Sequence, residues 1–301
     1  MNIFTPITEH ILRQLDAGVV PWHQSWANGL PKHLVTGQEF RGLNLLLLGP
    51  TRYTSRYWLA EHDAVRLGGR VRPGAQAQSV LGWQWHPPAA LDSQSPPTAA
   101  AMAARRSPLT RSLFNLDQVE NVPRPDDDTP SPASRRFEVA ELMLAVLPSP
   151  PEILHARIHE PAYDARRDCI TLPHLSQFPS AEAYYTARFL GHVRASGAPH
   201  RLHRFAATDG ERLPPFSFEA LVAELGAAFL CGFAGLRNVT ADALPASRSQ
   251  GWANALRADP GLLVRAAAAA QRAADYLRGK VVPDPVQATA AEPRLPQACH
   301  A

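Results

Sequence analysis

Cysteine is scarce in this chain: Cys169, Cys231 and Cys299 are three among 301 residues, far apart and without a C-x-x-C pair. An odd, dispersed set of this kind excludes a disulfide scaffold and a cysteine-built zinc site, and it fits free thiols in a reducing compartment. Long apolar runs are missing too. No uncharged stretch reaches the ~20 residues that a membrane span needs. The start Met1-Asn-Ile-Phe-Thr5 lacks a basic segment followed by an apolar one. The expectation is a soluble, cytoplasmic protein with no membrane contact. Charge of one sign is also in short supply. A net charge of +3 excludes a purely electrostatic coat for nucleic acid.

Proline is the residue in excess. The chain has 29, about twice the ~5% average usage, and they cluster. Pro87 to Pro108 reads as a disordered insertion, residues 123–134 as an interdomain linker and residues 281–301 as a disordered tail, because such compositions bury too little apolar surface to order themselves. Two domains remain, 1–122 and 135–280. The pattern predicts an α+β fold, with a small α+β first domain and a mostly helical second domain carrying a short sheet.

In the first domain, Ile7, Ile11, Leu12 and Leu15 repeat at helical spacing up to Gly18. Asn44 to Leu48 begins an apolar helix, and Trp58 to Leu67 reads as another. Ser79 to Trp85 alternates as a strand does, and Arg111 to Leu116 reads as a strand returning to the same sheet. Five of the six tryptophans (Trp22, Trp26, Trp58, Trp83, Trp85) fall in the first 85 residues, among basic side chains that are nearly all arginine. Two readings follow. The rings build a small core, since tryptophan is highly buried on average, or they form a platform on which the bases of a single strand stack while cations follow the phosphates.

The succession Val20-Pro-Trp22, Trp26, Phe40-Arg-Gly-Leu-Asn44, Tyr57-Trp-Leu59, Leu67-Gly-Gly69, Val71-Arg-Pro-Gly74 and Val80 to Trp85 resembles the N-terminal domain of the ArdC antirestriction family, which also fronts some TraC-type plasmid primases. The resemblance covers about residues 1–122 and implies single-stranded DNA as the partner. It implies contacts from Trp22, Trp26, Lys32, Arg41, Asn44, Arg52, Arg56, Tyr57, Trp58, Arg70 and Arg72. One departure concerns the turn after Val71-Arg72, where the family carries lysines and this chain has Pro73-Gly-Ala-Gln-Ala-Gln78. Fewer cations there predict weaker binding with a smaller salt dependence.

In the second domain, residues 137–146 read as a helix. Residues 153–159 and 168–172 read as two strands joined by a hairpin connection. Ser180 is placed to cap a helix that runs to about Ala195. Residues 218–236 read as a buried helix, apolar almost all round, and 258–278 as an Ala-rich helix. Tyr184-Tyr185 leading into this helix, with Pro161-Ala-Tyr163, Asp168 to Pro173, Arg201-Leu202, Arg204 and Trp252, resembles the zincin-like metallopeptidase domain of ArdC proteins over about residues 137–279. The resemblance sets the family's first histidine on Leu190, its catalytic glutamate on Gly191, its second histidine on Arg194 and its downstream glutamate ligand on Glu224.

Catalytic zinc needs three protein ligands and an open water position, and hydrolysis needs a carboxylate base. One ligand of three with no base is no site. The expectation is therefore no catalytic residue, no metal and no cofactor. His155, His159, His192, His200 and His203 are read as ordinary structural or loop histidines. An Arg194–Glu224 ion pair is expected to replace the metal between the two helices. The leading reading is a single-stranded-DNA-binding antirestriction protein of a mobile element with a pseudo-metallopeptidase domain, a candidate docking site for a protein partner. The alternatives are an active metal-dependent hydrolase with a rebuilt site and a replication or primase accessory.

Overall fold

A computed structural model of the chain describes residues 5–23, 26, 29–49, 53–85, 106–127, 133–147, 149–158, 160–205, 214–239 and 246–280. Arg52, Arg105, His159, residues 87–105 of the insertion, most of the linker's second half and the tail lie outside these residues.

Helix α1 (Thr5–Asp16) buries Ile7, Ile11 and Leu15, and a 3-10 turn at Pro21–His23 follows. Strand β1 (Lys32–His33), helix α2 (Leu43–Leu48), strand β2 (Tyr57–Leu59), helix α3 (Glu61–Arg66) and strands β3 (Arg70–Val71), β4 (Gln78–Trp85), β5 (Arg106–Asn115) and β6 (Val119–Glu120) complete the first half. They form a sheet of order β1-β2-β5-β4 and a separate β3-β6 pair. The helix expected from Trp58 begins later. Tyr57, Trp58 and Leu59 are all buried and form a strand on β5, with Trp58 opposite Asn115. Helix α3 starts only where Glu61 and Asp63 supply acids to a first turn. Strand β5 also starts earlier than expected, so residues 106–108 of the supposed insertion are paired with β4.

The second half contains α4 (Ala133–Ala145), β7 (Glu152–Ala156), β8 (Ala162–Asp164), β9 (Cys169–Pro173), α5 (Ala181–Ala195), α6 (Phe218–Ala234), α7 (Ala246–Ala258) and α8 (Leu262–Leu277). The two strands expected as a hairpin are instead parallel neighbours: β7 pairs with β9, and β8 joins β9 on its other edge in antiparallel register. The span between them was long enough to cross over and contribute a third strand, which a tight hairpin would not need. Ser180 caps α5 through the Ala183 N–H at 3.2 Å, as its position predicted. The region read as one Ala-rich helix from 258 is preceded by the separate helix α7.

One hydrophobic core spans both halves. Ile11, Leu15, Trp22, Trp26, Leu45 and Leu46 share it with Phe189, Leu225, Phe229, Trp252 and Leu263. The Trp26 and Phe229 rings lie 6.1 Å apart. Polar ties cross the same seam: Arg257 to Asp16 at 2.7 Å, Arg41 to Asp275, and the Gly42 N–H to Gln271 Oε1 at 2.8 Å. Much of the first segment is therefore the packing partner of α6, α7 and α8.

Candidate functional site

Helices α5 and α6 cross in close contact because small residues let them approach. A Cβ on Gly226 of α6 would lie 2.7 Å from Val193 Cγ1 of α5, and one on Gly191 would lie 2.7 Å from Ile170 Cγ2 of β9. Glu224 lies mid-helix on α6 and is 7% exposed. Its Oε2 accepts from Trp22 Nε1 at 2.8 Å and from His23 Nε2 at 2.9 Å, while its Oε1 accepts from Arg248 Nη2. Burial by itself would raise this carboxyl. The hydrogen bond and charge of His23, the charge of Arg248 and the Trp22 N–H outweigh it and hold Glu224 below the ordinary carboxylate range.

This arrangement corrects the expected Arg194–Glu224 clamp. Both Glu224 oxygens are engaged from other directions, and at Arg194 burial lowers the pKa while the charges of Glu219 and Tyr163 oppose it. The cation at Glu224 comes from α7, a helix that the sequence reading missed. A signal was available: Arg248 precedes Trp252 by four residues, the spacing that puts two side chains on one helix face. His23 was missed because its burial depends on the fold bringing residue 23 to residue 224.

His192, His200 and His203 lie on α5 and in the turn after it. His192 is buried and its Nδ1 bonds the Arg188 carbonyl of its own helix at 2.7 Å; burial pushes its pKa down to about 4 despite that bond. His200 lies 3.3 Å from Asp168 Oδ2. Asp168 is already gripped by Arg201 through two 2.7 Å bonds, and it accepts from Tyr163 Oη at 2.7 Å. His203 adopts φ 49° in the following turn. Among the described residues no three His, Cys, Asp or Glu side chains converge as a metal cage.

The residues expected to touch DNA divide sharply. Trp22, Trp26, Tyr57 and Trp58 are buried, with Trp22 spent on Glu224 and Trp58 packed against Tyr53. Such rings cannot stack on a base while the core is closed, so the platform reading of these four is corrected to core. The Asn44 amide is spent on Leu81, donating to its carbonyl and accepting from its N–H, both at 2.9 Å. Lys32, Arg56 and the Tyr57 hydroxyl converge on Asp127. Arg41 is exposed but tied to Asp275, and Arg70 is exposed beside Glu120 at 2.7 Å. Arg72 is exposed, and its charge acts on Glu120. Arg111 of β5, absent from the sequence-derived set, is exposed with no ion pair to an acid among the described residues. Burial holds His33 below the ordinary imidazole range, with Asp63 opposing and Arg111, His62 and Arg66 reinforcing the effect, so several cations border that part of the first half.

Comparison with known proteins places these features. Residues 1–112 match the model of the N-terminal domain of anti-restriction factor ArdC, and residues 149–269 match that of a zincin-like metallopeptidase. The chain is ArdC-like. Two solved structures of the antirestriction ArdC protein from plasmid R388 share its fold. The Mn(II)-bound one has a TM-score of 0.70 at 24% identity, covering 93% of this chain and 98% of that one. The metal-free one has a TM-score of 0.69 at 25% identity, covering 92% and 97%. Two proteins of Escherichia coli described as DNA primase TraC are each 27% identical over 90% of this chain. The chain spans about a quarter of the length of one and a fifth of the other, at 26% and 19%. The uncharacterized protein y4eC of Sinorhizobium fredii is 28% identical over 93% of this chain and 92% of its own length.

A metal is what the zincin-like half of an ArdC-like protein raises as a question. On the correspondence read from the sequence, the donor positions hold Leu190, which has no donor atom, and Arg194, which carries a positive charge. The Gly191 slot has no room for a carboxylate side chain beside Ile170. Glu224, the one retained acid, is in direct hydrogen-bond contact with His23. These residues do not fit a metal.

Proposed function

We propose that this ArdC-like protein binds single-stranded DNA through its first half, in an antirestriction-type role on a mobile element, and that its zincin-like half does not hydrolyse. The observation that carries the second part is Glu224. A carboxylate kept for metal chemistry needs an open face, and this one is closed by Trp22, His23 and Arg248. The DNA part is supported by the ArdC-like relationship and by the exposed Arg72 and Arg111. Electrostatics at these positions contributes affinity without reading sequence.

Fluorescence anisotropy with labelled single- and double-stranded oligonucleotides, at several salt concentrations, tests the binding. The reading requires a preference for single strands. Arg72→Ala with Arg111→Ala is expected to flatten the log–log salt slope by roughly 0.7 per lost cation. Equal binding of duplex, or none at low salt, sinks it. Metal analysis of the purified protein tests the other part: stoichiometric zinc or manganese would favour a rebuilt hydrolase site.

The similarity to the TraC primases favours a second reading, in which the same binding serves a replication enzyme as an accessory. Stimulation of primer synthesis by a separately supplied primase would distinguish the two.

A further inference from the structure

Outside the Glu224 region, an unusual set of rings lies on the second half. His155 of β7 stacks with His174, just beyond β9, at a centroid distance of 6.4 Å and an interplanar angle of 25°. His155 also lies nearly parallel to Tyr184 of α5, at 6.1 Å and 18°, with Tyr184 Oη 3.4 Å from His155 Nε2, so these two rings meet edge to edge. The three elements arrive together for a topological reason. Parallel pairing of β7 and β9 sets His155 opposite Leu172, two residues before His174, and Ser180 starts α5 one turn before Tyr184. The result is a strip of three nearly parallel rings.

Packing accounts for one of the three. Tyr184 is half-buried against Phe178, in the small core beneath β9. His155 and His174 are both exposed, next to Leu175, which is 61% exposed. Two exposed imidazoles and an exposed leucine contribute little to a core. Cations border the strip. The Arg188 guanidinium lies 5.5 Å from the Tyr184 ring centroid while pairing with Glu141 at 2.7 Å, and the exposed Arg157 follows His155 by two residues in the chain.

We propose that His174, His155 and Tyr184 form a stacking surface for the bases of single-stranded DNA, a second contact on the zincin-like half. Flat π-faces take any base, and neighbouring cations track the phosphates. The inference rests on the reading of this protein as a single-strand binder. It also gives the zincin-like half a part in binding that needs no metal.

The test uses the full chain and a fluorescein-labelled oligo-dT at pH 8, titrated at several salt concentrations. His155→Ala with His174→Ala removes exposed rings and leaves the core intact. The expected result is a loss of affinity of about tenfold or more with the salt slope unchanged, because stacking releases no counterions. The Arg72→Ala, Arg111→Ala protein should show the opposite signature, a flatter slope. Photocrosslinking with 5-iododeoxyuridine in the oligonucleotide should label peptides bearing His155, His174 or Tyr184. Wild-type affinity in the histidine double variant, or crosslinks confined to the first half, overturns the stacking surface and leaves the DNA reading standing. Failure of the wild-type protein to bind single strands overturns both.

Discussion

Trp22 Nε1 donates to Glu224 Oε2 at 2.8 Å across 202 positions of sequence. Through this bond and the neighbouring one from His23, the start of the chain is fastened to the middle of its most buried helix. Truncating one partner of a buried charge network costs about 3–5 kcal/mol, because the other partners are left uncompensated. Glu224→Leu is therefore expected to destabilise by that order in urea unfolding. Trp22→Phe, which keeps most of the ring, should lose about 1.5–3 kcal/mol for a bond to a charged acceptor. A chelator should leave the wild-type Tm where it is. A wild-type Tm that falls with EDTA would show that a metal contributes to the fold.

Gly191 gives a prediction of opposite sign to helix propensity. Alanine in a helix interior is favoured over glycine by about 1 kcal/mol. Here its Cβ would meet the buried Ile170 at 2.7 Å, and overpacking costs about 1–3 kcal/mol. Gly191→Ala should lower stability, and Gly191→Glu should lower it further. A more stable Gly191→Ala protein would show that α5 and β9 are not packed as described.

His192 sets a pH dependence. Its folded pKa of about 4 lies below the ordinary 6.5, so the unfolded chain binds the proton first as pH falls. The stability associated with the buried neutral imidazole is complete above 6.5 and is lost progressively between about 6.5 and 4, in total of order 3 kcal/mol. Urea midpoints measured across that window should fall in the wild type. They should fall less in His192→Leu, whatever the absolute stability of that variant.

Arg201 anchors the segment after α5. Its guanidinium grips Asp168 in a two-point fork and also bonds the Ala195 and Ser149 carbonyls. Lysine keeps the charge but cannot form the fork. Arg201→Lys is expected to cost about 2 kcal/mol or more by losing charge-assisted bonds at a buried site. Loosening should appear as faster amide exchange in residues 195–205, whereas unchanged exchange there would count against this role.

Local pattern was sufficient for much of the fold. The spacing of Ile7, Ile11 and Leu15 and the Gly after them defined α1, Ser180 marked the start of α5, and the all-round apolar run to Ala234 identified a buried helix. Leu190, Gly191 and Arg194 could be read as unfit for metal chemistry because donor chemistry is a property of residue type. What sequence spacing could not carry was distance between remote segments. Whether Trp22 and Trp58 face solvent or core, whether the cation at Glu224 is Arg194 or Arg248, and whether β7 and β9 run parallel all depend on which surfaces are buried against each other. Apolar burial is non-directional and selects partners by shape over the whole chain. The sequence by itself determined that this ArdC-like chain has an α+β fold, and that Leu190 and Gly191 bring no side-chain donor atoms to the helix that bears them. Only the tertiary structure decided that Trp22, Trp26, Trp58 and Trp252 are core, that Glu224 joins the two halves, and that exposed rings and exposed arginines lie elsewhere.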